Sequence, residues 1–250
     1  MHDPSLNRTT TGNGMISDRN YFGDIEFLTT KEEPHCPIAR FQDVLDLLFK
    51  TENSHIWAVI DVKVVNSPKI LITLGEIFKS RNENLSVFSK RFALGIWHPK
   101  FMSYANTYLP GIPIVHIGIS LGIARNYFSN VDGYNMFYLA LSLEDGRKFI
   151  EEAHAKGKPV FAWTVNKESR AKNCHNLNVD AIMTDRTKFY ADFFKSLKDK
   201  SSSIERKKFQ EVGQPSWFIS LLNFTCNKLL YLMGKWRLFK YGNSGNSTNF

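Results

Sequence analysis

The sequence predicts an α/β fold built from repeated βα units, and three observations lead to it. The chain has 250 residues, of which 43% are hydrophobic and 22% charged, the make-up of a folded domain of good size. From residue 55 onward, six short and continuously apolar runs recur, as parallel strands covered by helices do. Segments with helical spacing separate them.

In order, the expected strands are 57–63, 92–97, 112–117, 136–141, 159–165 and 180–184. A helix is expected over 40–50, where Phe41, Val44, Leu45, Leu48 and Phe49 share one stripe, with further helices over 68–81, 143–156 and 187–197. Gly157 stands where a helix-ending glycine belongs, and Pro159 follows as a stop signal. Eight such units close into a barrel with its chemistry at the carboxyl ends of the strands. Six are also compatible with an open, doubly wound sheet. No Gly-x-Gly-x-x-Gly follows any of these strands, which weighs against the dinucleotide-binding form of that sheet, but pattern alone leaves both architectures open.

Three cysteines (Cys36, Cys174, Cys226) are too few and too scattered for a disulfide framework or a metal knuckle, and are read as reduced thiols. No apolar signal peptide opens the sequence, so an intracellular location is expected. The net charge of +8 is concentrated at one end. Residues 195–250 hold ten Lys and Arg against three acids, whereas the first 194 are nearly balanced at 22 against 21. A cationic tail implies an acidic partner, nucleic acid or an anionic membrane.

The composition of the tail decides between them. Residues 199–215 are rich in Lys, Ser, Glu and Gln and read as a linker. A helix expected over 216–241 gathers Ser220, Asn223 and Asn227 on one narrow face, with apolar residues around most of the rest. A span needs about 20 apolar residues, and this segment is short and interrupted. Its aromatic and basic side chains suit the membrane interface, with Trp217, Phe218, Leu221, Leu222, Trp236, Lys235, Arg237 and Lys240 as the contacting residues. The alternative is a helix that docks on the body through its wide apolar side. Nucleic acid is excluded as a partner, because an apolar helix with sparse lysines tracks phosphates poorly. Residues 242–250 are expected to be a disordered end.

Five segments stand out along the chain. They are His2-Asp3-Pro4-Ser5-Leu6-Asn7-Arg8-Thr9-Thr10 with a glycine turn after it, Pro37 to Leu45, Ile60-Asp61-Val62-Lys63, Ala162-Trp163-Thr164-Val165-Asn166, and Val179 to Asp185. In this order and spacing the chain resembles the glycerophosphodiester phosphodiesterases over residues 2–198, and is most similar to their fungal phosphatidylglycerol-specific phospholipase C branch. The resemblance implies a TIM-type (β/α)8 barrel, a divalent metal ion (Mg or Ca), a glycerophospholipid substrate and a membrane-associated location such as a mitochondrial, endoplasmic-reticulum or lipid-droplet surface. By the same resemblance His2 is a catalytic acid–base residue, Asp61 a metal-binding carboxylate, Lys63 a phosphate-facing cation and Trp163 a wall for the substrate glycerol. Asp61 and Lys63, two apart on a strand, point to the same side, where buried charges need a partner; a structural ion pair is the plainer alternative. Glutamate is the more usual carboxylate at the first of these positions, and Asp61 is one methylene shorter.

The family pattern also has a His-Arg-Gly strand end, a Glu-Asn-Thr helix start and a Glu-x-Asp strand ahead of the His-Asp pair, and this sequence contains none of them. The expectation is therefore a barrel lacking its first two βα units, with one histidine of two and one metal carboxylate of three, and no turnover by these 250 residues. A non-catalytic, membrane-associated remnant that binds lipid or a partner is the competing expectation.

Overall fold

In the computed structural model, residues 1–201 and 217–242 are described, with side chains of the last helix from Cys226 onward. The chain divides into two compact units, Met1–Trp57 and Ala58 onward.

The first unit is mostly turns held by short antiparallel bridges, Ser5↔Met15, Thr10↔Thr30 and Thr29↔Pro37. Leu6 and Thr10 are buried within it, and the Thr10 hydroxyl donates to the Leu6 carbonyl at 2.7 Å. The turn that returns the chain past the His-Asp pair ends on Gly14, whose φ of 82° is open to glycine at little cost, and the Gly14 carbonyl accepts the Leu6 amide at 2.9 Å. Helix α1 (Phe41–Leu48) opens with Asp43 accepting the Arg40 amide at 2.8 Å and buries Leu45 and Leu48.

The second unit is a six-stranded sheet, β1 (Ala58–Val62), β2 (Phe92–Ile96), β3 (Ile114–Gly118), β4 (Gly133–Phe137), β5 (Val160–Trp163) and β6 (Ala181–Ile182). The strands lie side by side in chain order, and every adjacent pair is parallel. Helices α2 (Ile70–Lys79), α3 (Met102–Tyr108), α4 (Leu121–Tyr127), α5 (Tyr138–Ser142), α6 (Glu144–His154) and α7 (Glu168–Asn176) fill the crossovers, with α8 (Thr187–Ser201) after β6 and α9 (Trp217–Gly242) beyond it. Sequential parallel βα units of this kind are the TIM-barrel-like arrangement; among the described residues the sheet has these six strands.

The register is in phase across the whole sheet. Asp61 pairs with Gly95, Gly95 with Val115, Ile117 with Asn135, Asn135 with Phe161, and Phe161 with Ala181. Strand side chains alternate between faces, so the odd-numbered residues of all six strands share one face. On that face Val59, Ala93, Val115, Phe161, Ala181 and Met183 form an apolar layer. Gly95 leaves room there for Ile117 and Val59, which a Cβ would meet at 2.6 and 2.9 Å. The even-numbered face packs on helices: Tyr134 meets the Phe149 ring of α6 at 5.0 Å, and α2 brings Phe78 against Phe88 and Phe92 at 4.9 and 5.2 Å.

Two expected boundaries change. The apolar run 136–141 is the end of β4 followed by the short helix α5, because a brief apolar run has the same pattern in a strand and in a buried helix. Helix α8 continues through Ser201, so the first three residues of the expected linker are helical; 202–215 lie outside the described residues. The expected tail helix is α9, with Gly242 still helical, while 243–250 also lie outside them. The three cysteines are free thiols, and burial pushes Cys174 up to about 11.

Candidate active site

The carboxyl ends of β1, β2, β4 and β5 bring Asp61, Lys63, Trp97, Asn135, Phe137 and Trp163 to the odd-numbered face. Lys63 donates to Asp61 Oδ2 at 2.6 Å, and the Trp97 indole N–H donates to Asp61 Oδ1 at 2.7 Å. Both carboxylate oxygens are thus engaged, and the pair is partly solvated instead of buried as expected: the Asp61 side chain keeps 38% of its exposure. The short aspartate reaches only across the strand gap, which places it against the next strand's indole.

An aromatic rim completes this end of the sheet. The Trp97 and Trp163 rings meet edge to face at 5.5 Å, and Trp163 meets Phe137 at 5.2 Å. The Trp163 N–H is spent on the Asn135 carbonyl at 3.0 Å, which fixes the ring as a wall. Asn135 is buried and its side-chain oxygen has no hydrogen-bond partner. Such a surface can cover the carbon face of a small polyol while Lys63 addresses an anionic oxygen beside it.

The next residue in the chain carries a different load. His98 Nδ1 accepts the Lys100 amide at 2.9 Å, so Nε2 bears the proton and donates to the Leu238 carbonyl of α9 at 2.9 Å. Burial lowers the pKa of His98 and favours this neutral form. The described part of α9 docks on α4: Leu230 is buried, and a Cβ on Gly122 or Gly234 would sit 3.0 Å from Tyr231 or 2.8 Å from Ile123. Arg237 lies over the Trp97 ring at 5.3 Å. The docking alternative for the tail thus holds for this face of α9, and Arg237 lies over an indole of the sheet. Trp236, Lys235 and Lys240 are exposed. Trp217, Phe218, Leu221 and Leu222 lie in the first turns of α9, ahead of its described side chains. No helix among the described residues is long and apolar enough to cross a membrane.

In the first unit, His2 is exposed and its Nδ1 meets Asp3 Oδ1 at 2.7 Å. Hydrogen bonds from Arg8 and then His2 hold the Asp3 carboxyl well below the usual carboxylate range. A carboxylate kept ionised beside Nδ1 orients the ring and leaves Nε2 free to exchange a proton, the arrangement an acid–base histidine requires.

A divalent ion of the expected kind takes several oxygen ligands. Asp61 is a single carboxylate with both oxygens already engaged, and among the described residues no three of His, Cys, Asp and Glu gather as a metal site. These residues do not fit the ion, so no chemical step is derived through one. Glu26, the one glutamate in an apolar setting within the first unit, accepts the Gly23 amide.

Trp97, Phe137 and Asn135 are not legible as site residues in the sequence because they sit in apolar strand runs or beside them. The parity shared with Asp61 is the signal that singles them out. His116 and His154 are engaged within the fold: His116 is buried and stacked on Phe128 at 3.6 Å, and His154 pairs with Asp180 at 2.8 Å.

An ion pair at the carboxyl end of β1, rimmed by side chains from the same ends of β2, β4 and β5, is the placement found in the barrel-type α/β enzymes, and this chain is of that class. More narrowly, it belongs to the glycerophosphoryl diester phosphodiesterase family, hydrolases of phosphoric diesters, whose family model matches residues 1–188. It is 24% identical over 199 residues to a glycerophosphodiester phosphodiesterase of Bacillus altitudinis, covering 74% of this chain and 76% of that protein. Among solved structures, a glycerophosphodiester phosphodiesterase from Parabacteroides distasonis superposes with a TM-score of 0.62 at 14% identity, covering 79% of this chain and 78% of the other. An Oleispira antarctica phosphodiesterase in complex with the product sn-glycerol-3-phosphate gives 0.60 at 16% identity, covering 80% and 78%.

Proposed function

We propose that the chain handles a glycerophospholipid by phospholipase C-like chemistry, with phosphatidylglycerol or a related glycerophosphodiester as the substrate and an anionic membrane as its surface. The observation that carries the reading is Lys63 held by Asp61 inside the Trp97–Trp163–Phe137 rim: one cation for the phosphate, apolar walls for the glycerol. In this scheme Lys63 draws charge from the phosphate oxygens as the diester breaks. Within the first unit, His2, oriented by Asp3, is the candidate for acid–base work. The product seen in the Oleispira relative, glycerol 3-phosphate, has the matching chemistry.

The membrane surface is supported by α9. Leu229, Leu232, Met233, Trp236 and Phe239 are all exposed and fall within one helical arc, with Trp236 at 58% and Phe239 at 72%. Lys228, Lys235 and Lys240 lie beside or within that arc. An exposed apolar stripe edged by cations matches an interfacial helix, and phosphatidylglycerol is itself anionic.

A second reading, a non-catalytic protein that binds the same headgroup, is favoured by the lack of a three-residue metal-ligating group among the described residues. The full chain incubated with phosphatidylglycerol vesicles, with and without Mg²⁺ or Ca²⁺, separates the two. Release of glycerol phosphate that Lys63→Ala abolishes supports hydrolysis. Vesicle and headgroup binding without release supports the second reading, and neither binding nor release overturns both.

A further inference from the structure

The dipeptide Trp97-His98 joins two parts of the second unit. Trp97 donates to Asp61 of the candidate site, and His98 donates to the Leu238 carbonyl of α9. Helix α9 is therefore pinned at the residue adjoining the site, and its close approach to α4 through Gly122 and Gly234 fixes it from another side. A cavity of about 20 Å³, room for roughly one water, is lined by Trp97, Gly118, Ser120, Gly234, Arg237 and Leu238, so the helix and the strand ends share a boundary with almost no slack.

At that boundary two cations lie within 6 Å of the same indole: Lys63 Nζ at 5.9 Å and the Arg237 guanidinium at 5.3 Å. Their surroundings differ. Lys63 is neutralised by Asp61, whereas no carboxylate among the described residues pairs with Arg237. An exposed guanidinium resting on an aromatic ring keeps its hydrogen-bonding edge available, and that edge matches two oxygens of a phosphate at once.

We infer that Arg237 is a specificity-determining residue: α9 forms part of the substrate site, and Arg237 takes phosphate oxygens of the glycerophosphodiester that Lys63 also addresses. The inference rests on the reading that these strand ends receive such a headgroup. It gives the tail helix a second role, with one face on the lipid surface and Arg237 at the site beneath. Only substrates carrying an anionic head gain from that guanidinium; a neutral glycerol ester does not.

Equilibrium binding of sn-glycerol 3-phosphate and of glycerol to the full chain tests this without requiring turnover. Arg237→Gln should weaken glycerol-phosphate binding on the order of tenfold, as for a lost charge-assisted hydrogen bond, and leave glycerol unaffected. Arg237→Lys should restore only part of the loss, because a lysine is not bidentate. Gly234→Leu, which keeps the arginine but wedges α9 from Ile123, should reproduce the loss. Lys79→Gln, an equal change of charge on α2, should not. If Lys63→Gln loses binding and Arg237→Gln does not, the inference falls while the site reading stands. If the wild type binds no glycerol phosphate, or Lys63→Gln binds as well as wild type, the site reading falls and the inference with it.

Discussion

The indole N–H of Trp97 donates to the carboxylate of Asp61 at 2.7 Å across neighbouring parallel strands, two residues beyond the position paired with that aspartate. This bond holds the carboxylate toward the aromatic rim while Lys63 occupies its other oxygen. Trp97→Phe keeps the ring and removes the donor. For a partly exposed charged acceptor the loss should be about 1 kcal/mol or less in unfolding free energy. Glycerol-phosphate affinity should fall a few-fold as Asp61 and Lys63 lose their fixed placement. An unchanged affinity, with a drop only on Trp97→Ala, would assign the indole's contribution to packing.

His2 and Asp3 form a pair in which the carboxylate stays ionised. Depression of the Asp3 pKa means its interactions are in place above the unfolded value of about 4 and are lost only as the pH falls through the lower folded value. Where hydrolysis is measured, His2→Ala should cost roughly 10²–10⁴ in rate, and Asp3→Asn a smaller part of that. The acid limb of the rate profile should not follow Asp3. Retention of full rate in His2→Ala would remove it from the chemistry.

His116 makes stability depend on pH in a definite direction. Burial pushes it down to about 3, while an unfolded histidine titrates at about 6.5. Between those values the unfolded chain binds a proton that the folded chain refuses, so stability rises with pH across the window and is complete above it. Its Nδ1 is hydrogen-bonded to the Ile96 carbonyl, and Nε2 is buried without a partner. The urea midpoint of the wild type should drop from pH 7.5 to pH 5, and His116→Gln should drop less. Parallel losses in the two proteins would place the titrating group elsewhere.

The proposed membrane contact and the docking contact use different residues of α9. Trp236→Ser with Phe239→Ser should release the chain from phosphatidylglycerol liposomes without lowering its melting temperature. Replacing Lys235 and Lys240 by Gln should weaken binding to anionic vesicles more than to neutral ones, by about 1 kcal/mol for each cation that lies near the surface. Leu230→Asp, which buries a charge against α4, should act on stability instead. Sedimentation of the Trp236/Phe239 variant with liposomes as fully as wild type would show that the stripe meets another partner.

Core substitution supplies the scale for these effects. Phe78 is fully buried between Phe88 and Phe92, and Phe78→Ala should cost about 3–5 kcal/mol in chemical unfolding. A loss under 1 kcal/mol would mean that the α2 layer collapses freely onto the gap.

Much of this architecture is legible in the sequence because parallel strands write themselves as apolar runs. Runs at 57–63, 92–97 and 112–117 each fall on a strand, and Gly157 and Pro159 stand between α6 and β5. The run 136–141 misleads because six apolar residues do not reveal that the backbone turns from β4 into α5 after Phe137. Asp61, Lys63 and Trp163 could be picked out because charge or a motif sets them apart. Trp97 could not, since a tryptophan closing an apolar strand reads as core until the register places it two residues beyond the partner of Asp61, on the same face. The docking of α9 depends on Gly122 and Gly234, and small residues leave no periodic signal when most of a helix is apolar.

The common phase of the six strands has a consequence for how such a protein can change. Because odd-numbered positions at the carboxyl ends bear the candidate site, odd-numbered ones deeper in the sheet bear the apolar layer, and even-numbered ones bear the helix contacts, the candidate site and the helix-facing layer occupy separate mutational compartments. On the proposed function, exchanges at 61, 97, 137 or 163 should alter what is recognised without disturbing the layer of Leu94, Ile96, Tyr134 and Met136 that keeps the sheet clothed. On that reading, a lineage carrying this sheet is free to drift among headgroups, or to trade catalysis for binding, through substitutions that the rest of the fold scarcely registers.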